Sequence, residues 1–134
     1  MIVPSSSRPA VVSLPRVGQE WIVDVGGADP VRLRARPPLE ALVASLIETL
    51  ALRVVGPALW HVFPGEAGVT ALVLLAESHL ALHTFPEYGT MSLNLYCCRA
   101  RPSPAWSDLL RAAVGATTVQ VRTLARGGDG SAGE

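Results

Sequence analysis

The sequence predicts an α+β fold: a two-layer sandwich in which a mainly antiparallel sheet carries two helices on one face. Two stretches repeat apolar residues at helical spacing, and six runs rich in Val, Leu and Thr are separated by Gly or Pro. Their order along the chain is β-α-β-β-β-β-α-β. Two amphipathic helices cover only one face of such a sheet, so the other face is expected to meet a second subunit.

Residues 1–17 are rich in Pro and Ser and are expected to form a flexible tail. The folded unit is expected at 18–126 as a single domain, with its first strand at about 19–25. Leu39, Leu42, Val43, Leu46, Ile47 and Leu50 then share one helical face, and Pro38 suits the first turn of that helix. Strands follow at about 54–63, 69–77, 79–85 and 90–98. The second helix carries Trp106, Leu109, Leu110, Ala113 and Val114 after Pro104, and a last strand runs over about 117–125. Residues 127–134, GGDGSAGE, read as a second tail.

A chain of 134 residues with 49% apolar content suits one domain with a modest core. Eleven basic residues balance eleven acidic ones without a basic block, so a small molecule or a protein is the expected partner and nucleic acid is not. Prolines interrupt the N-terminal stretch where a signal peptide needs an apolar core, and no later run approaches a membrane span. The expectation is a cytoplasmic protein with no membrane partner. Cys97 and Cys98 are adjacent, and neighbouring strand residues point to opposite faces, which opposes a bridge between them. No zinc spacing is present, so no metal is expected.

The chemistry is concentrated in AESHLALHTFPEYGTMSLNLYCC, residues 76–98. Pro86-Glu87-Tyr88-Gly89 is a turn signal between two strand-like runs, which makes a hairpin. With Phe85 facing Thr90, His83 faces Ser92, Ala81 faces Asn94 and His79 faces Tyr96, and Cys98 falls beside the Glu77–Ser78 bond. Strand parity puts His79, His83, Phe85, Ser92, Asn94, Tyr96 and Cys98 on one face, with Leu80, Leu82, Met91, Leu93 and Leu95 on the other. Residue types alone leave two readings open. The polar face is either catalytic, or it holds hydrogen-bonded structural histidines and a small apolar Cys.

Glu77-Ser78-His79, His83-Thr84-Phe85-Pro86-Glu87-Tyr88-Gly89 and Cys98 together resemble the self-processing core of the bacterial and archaeal S-adenosylmethionine decarboxylases. The likeness extends more weakly from about Gly18 to Gly127, through Gly68-Val69-Thr70 and Arg126-Gly127. It implies self-cleavage between Glu77 and Ser78, giving a β chain of 1–77 and an α chain of 78–134 capped by a pyruvoyl group made from Ser78. That group would draw electrons from a bound amino acid as carbon dioxide leaves, without pyridoxal phosphate or a metal. The resemblance gives His83 the proton transfer of processing, Thr70 a supporting hydroxyl, and Cys98 the later protonation of product.

Phe63, Phe85 and Glu87 correspond to the residues that hold adenine, sulfonium and ribose in that family. The chain departs from the family pattern where Phe85 stands for a more usual tryptophan and Asn94 for an aspartate, and where Gln19-Glu20-Trp21 stands for a Gly-x-His. The function implied is decarboxylation of S-adenosylmethionine, supplying the aminopropyl donor for spermidine. The alternative is ornithine or arginine decarboxylation on the same scaffold, and a third reading is a non-catalytic regulatory relative. A homodimer of αβ protomers is expected, with Ser78 near the subunit boundary.

Overall fold

A computed structural model describes residues 13–128. Strand β1 (Leu14–Gly26) leads into a short helix α1 (Pro30–Leu33) and the longer α2 (Arg36–Thr49). Strands β2 (Leu59–Val62), β3 (Val69–Leu75), β4 (Ser78–Phe85) and β5 (Thr90–Cys97) follow, then α3 (Trp106–Val114) and β6 (Thr118–Gly128). The six strands form one sheet in the order β2-β3-β4-β5-β1-β6, and every neighbouring pair is antiparallel. The expected α+β two-layer sandwich is therefore the observed one.

Alternation of side chains builds the core. β3 buries Val69, Ala71, Val73 and Leu75, β4 buries Leu80 and Leu82, and β5 buries Met91, Leu93, Leu95 and Cys97. Leu39, Leu42, Val43 and Leu46 of α2 and Trp106, Leu110 and Val114 of α3 belong to the same buried cluster. The Trp21 and Trp106 rings meet edge to face at 5.9 Å, locking α3 onto strand β1. Among the described residues the opposite sheet face carries no helix, and it leaves Leu59, Leu72, Leu74 and Phe85 with 65%, 48%, 58% and 39% of their surface exposed.

Several boundaries differ from the expected ones. The expected strand 54–63 survives only as β2, with one isolated bridge at Val54–Leu75, because Gly56-Pro57 interrupts the ladder. The expected strand 69–77 stops at Leu75: Leu75 pairs with Ser78, so Ala76 and Glu77 are a two-residue hairpin turn. Helix α1 was not expected; Pro30 opens it and the Asp29 carboxylate caps the Val31 N–H at 3.0 Å, but four residues carry no periodicity to read. Leu14–Val17 and Gly127–Gly128, expected in the tails, lie in β1 and β6, while residues 1–12 and 129–134 lie outside the described residues.

Two details hold the hairpin region. Gly89 closes the turn at φ 65, and its carbonyl accepts the Ala28 N–H at 2.9 Å. Thr84 is buried and bridges two layers: its hydroxyl donates to the Leu33 carbonyl at 2.6 Å and accepts the Val69 N–H at 2.8 Å. Among the described residues no helix is long and apolar enough to cross a membrane.

Candidate active site

The β4–β5 hairpin has the expected register. Phe85 pairs with Thr90, His83 with Ser92, Ala81 with Asn94, His79 with Tyr96, and the ladder ends at Ser78 opposite Cys97. One residue further on, the Cys98 N–H donates to the Glu77 carbonyl at 2.9 Å, so Cys98 does lie beside the Glu77–Ser78 bond. Ser78 has the parity of Leu80 and Leu82, and its side chain therefore turns toward the helix layer.

Glu77, Ser78, Cys98, Arg53, Arg99 and Arg101 line one cleft of about 270 Å³. Ser78 is 9% exposed, and its Oγ is buried without a hydrogen-bond partner. On the facing strand the Cys97 thiol lies next to that Oγ. Burial pushes the Cys97 thiol above its ordinary range, against the opposing pull of the Arg101 charge and the Ser78 hydroxyl. Cys97 is thus core packing and also the cross-strand neighbour of Ser78. Arg99 grips the Glu77 carboxylate with both ends of its guanidinium, at 2.8 and 3.0 Å.

The remaining predicted residues gather at the other end of the sheet. Thr70 pairs with His83, and their Oγ1 and Nδ1 atoms are 3.0 Å apart. His61, which the sequence reading did not single out, is the cross-strand neighbour of Thr70 on the next strand and stacks edge-on against Phe63 at 4.4 Å. The Phe63 N–H bonds the Gly68 carbonyl, and a Cβ on Gly68 would lie 2.0 Å from the Thr84 carbonyl oxygen, so a glycine lets this end of β3 pack against the end of β4 that carries Phe85. Glu87 is exposed in the adjoining turn Pro86–Tyr88.

The two groups do not meet within one chain. His83 is five residues from Ser78 along β4, about 16 Å at the rise of a strand, and on the opposite face. Within one chain, therefore, neither His83 nor Phe63, Phe85 and Glu87 reach the Ser78 hydroxyl.

Between the two ends, the part of the open face on β5, β1 and β6 is polar and internally paired, while β2 and β3 carry the exposed leucines. Asn94 Nδ2 donates to Glu20 Oε2 at 3.0 Å, and Glu20 also pairs with Arg126 at 2.8 Å. The carboxylate at this spot thus comes from β1, next to the amide that stands on β5. His79 and Tyr96 stack at 5.5 Å, and the Tyr96 hydroxyl donates to the Val17 carbonyl at 2.6 Å. Among the described residues no three His, Cys, Asp or Glu side chains are gathered to hold a metal.

A one-sided antiparallel sheet, with an unpartnered serine hydroxyl at a hairpin turn and a hydroxyl–imidazole pair on its bare face, defines a small α+β protein built for chemistry at the sheet. The sequence pattern of S-adenosylmethionine decarboxylase matches residues 19–127, and the chain belongs to that family. It is 44% identical over 61 residues to the S-adenosylmethionine decarboxylase proenzyme of Symbiobacterium thermophilum, a match spanning 45% of this chain and 46% of that protein. The corresponding proenzyme of Picrophilus torridus is 30% identical over 113 residues, 83% of this chain and 85% of that one. An arginine decarboxylase proenzyme of Ignicoccus hospitalis is 30% identical over 88 residues, 66% of this chain and 61% of that protein. The chain thus spans about half to three-fifths of two of these curated relatives. The crystal structure of the adenosylmethionine decarboxylase from Aquifex aeolicus shares the fold, with a TM-score of 0.70, 24% identity, and coverage of 84% of this chain and 92% of that one.

Proposed function

We propose that the chain is a proenzyme that cuts itself between Glu77 and Ser78 and then decarboxylates S-adenosylmethionine, providing the aminopropyl donor for spermidine. One observation carries the first half: the Ser78 hydroxyl is buried and unpartnered, and the carbonyl before it already accepts the Cys98 N–H. That N–H is a fixed donor for the charge that develops on the Glu77 oxygen during attack. In the proposed step Ser78 Oγ bonds to the Glu77 carbonyl carbon, the C–N bond breaks, and the hydroxyl proton passes through a base to the nitrogen. Loss of the Ser78 Cα proton then expels Glu77 as a carboxylate, and water replaces the nitrogen, which leaves as ammonia.

The residues around Ser78 fit the pyruvoyl group so formed, which would supply the electron sink for decarboxylation with no metal. Cys98, half-buried in the same cleft, is the proposed proton donor to product. His83, oriented by Thr70, is the proposed proton carrier of processing, supplied by a second copy of the chain. The bare apolar face supports such a pair. If two sheets meet face to face about a two-fold axis near the middle of β4, the Ser78 end of each faces the Thr70–His83 end of the other. Phe63, Phe85 and Glu87 would reach the same shared site, the rings taking adenine and the carboxylate the ribose hydroxyls. The two free thiols suit a cytoplasmic setting.

A second reading, decarboxylation of arginine or ornithine, is favoured by the likeness to the Ignicoccus proenzyme. Carbon dioxide release by the purified, cleaved protein from S-adenosylmethionine, arginine and ornithine separates the two. Release from S-adenosylmethionine alone, lowered by Phe85→Ala, is the expected result. Release from arginine or ornithine, abolished by Glu87→Gln and indifferent to Phe85→Ala, would transfer the function to the second reading.

A further inference from the structure

We infer that Arg99 is a positioning residue for the self-cleavage step, acting through the Glu77 carboxylate. The inference rests on the cleavage reading above and adds a residue to it. Glu77 carries a negative side chain on the same residue whose carbonyl becomes an oxyanion, and like charges that close disfavour each other. Arg99 removes the conflict. Its guanidinium binds the Glu77 carboxylate at 2.8 and 3.0 Å, and the neighbouring Cys98 N–H holds the Glu77 carbonyl at 2.9 Å. Two consecutive residues at the end of β5 therefore fix both polar groups of Glu77, the side chain by one and the carbonyl by the other. The bidentate geometry is the kind that raises a surface ion pair above the usual negligible value.

Arg53 and Arg101 line the same cleft, but Arg101 is engaged elsewhere, donating to the Leu50 carbonyl, with its backbone N–H bonded to Gln19 Oε1 at 3.3 Å. Arg99 is the cation in direct contact with Glu77. It is also solvent-accessible, 70% exposed, so its removal leaves the core intact and its effect is open to screening by salt.

The test is the first-order rate of precursor conversion in cell-free synthesis, followed on denaturing gels for the full chain. Arg99→Ala is expected to process about two- to fivefold more slowly, and Arg99→Lys to recover part of the loss. The decisive comparison is the Glu77→Gln background, where Arg99→Ala is expected to change the rate by less than the uncertainty of the measurement. Equal rates for wild type and Arg99→Ala overturn the inference. So does an equal slowing in both backgrounds, since Arg99 would then act without Glu77. A wild-type chain that never converts overturns the cleavage reading itself and this inference with it, and is recognised by the absence of any fragment.

Discussion

Cys97 and Cys98 sit one residue apart and face different surroundings, because a strand turns each successive side chain to the opposite face. Cys97 is 1% exposed within the core, and burial favours its neutral thiol, so its contribution to stability is present below the ordinary thiol range and lost as pH rises through its raised value. Cys98 is half-buried and lines the cleft beside Glu77 and Ser78. Iodoacetamide labelling of the native protein, read by peptide mass, should therefore modify Cys98 first and spare Cys97 until the chain unfolds. Labelling of Cys97 at a comparable rate would contradict the assigned faces. The sequence alone contained this alternation, and it also contained the parity of Ser78. What it did not contain was the role of Arg99: nothing in a basic residue after Cys98 marks a partner 22 positions away, and only the fold brings it to Glu77.

The hairpin of β4 and β5 was readable to the residue, because Pro86-Glu87-Tyr88-Gly89 fixes the turn and the apolar alternation on both sides fixes the register. The turn at Ala76–Glu77 was not. It contains no Gly, Pro or Asn, and neither residue has a positive φ, so it is not one of the two turn types that have a clear sequence signature. Helix α1 escaped for want of length, yet it is anchored from the sheet by Thr84. Replacing Thr84 with Val keeps the shape but strands the Leu33 carbonyl and the Val69 N–H in the interior, which should cost about 2–4 kcal/mol in chemical denaturation. Thr84→Ser should recover most of that loss. A Thr84→Val protein as stable as wild type would mean that these two bonds do not tie the helix layer to the sheet.

At the scale of the whole molecule, composition and periodicity gave the two layers and the bare face, since both follow from counting helices against strands. The distance between Ser78 and His83 was equally present in their numbering, but the resemblance to a family supplies residues without saying which copy of the chain contributes each. A separation of about 16 Å along β4 makes a second copy the physical route to a complete site. Co-expressed Ser78→Ala and His83→Ala chains should therefore rescue each other in part: the His83→Ala chain, keeping its own Ser78, should be cut when its partner supplies His83. Failure of any cutting in a demonstrated mixed dimer would return the proton transfer to the single chain. The central claim is that the peptide bond at Glu77–Ser78 is the reactive bond of this molecule. Intact mass of the purified 134-residue chain under denaturing conditions tests it most directly: the account predicts fragments of 77 and 57 residues, the second blocked at its N-terminus, and a whole chain for Ser78→Ala. A single full-length mass from protein that releases carbon dioxide from S-adenosylmethionine would contradict it.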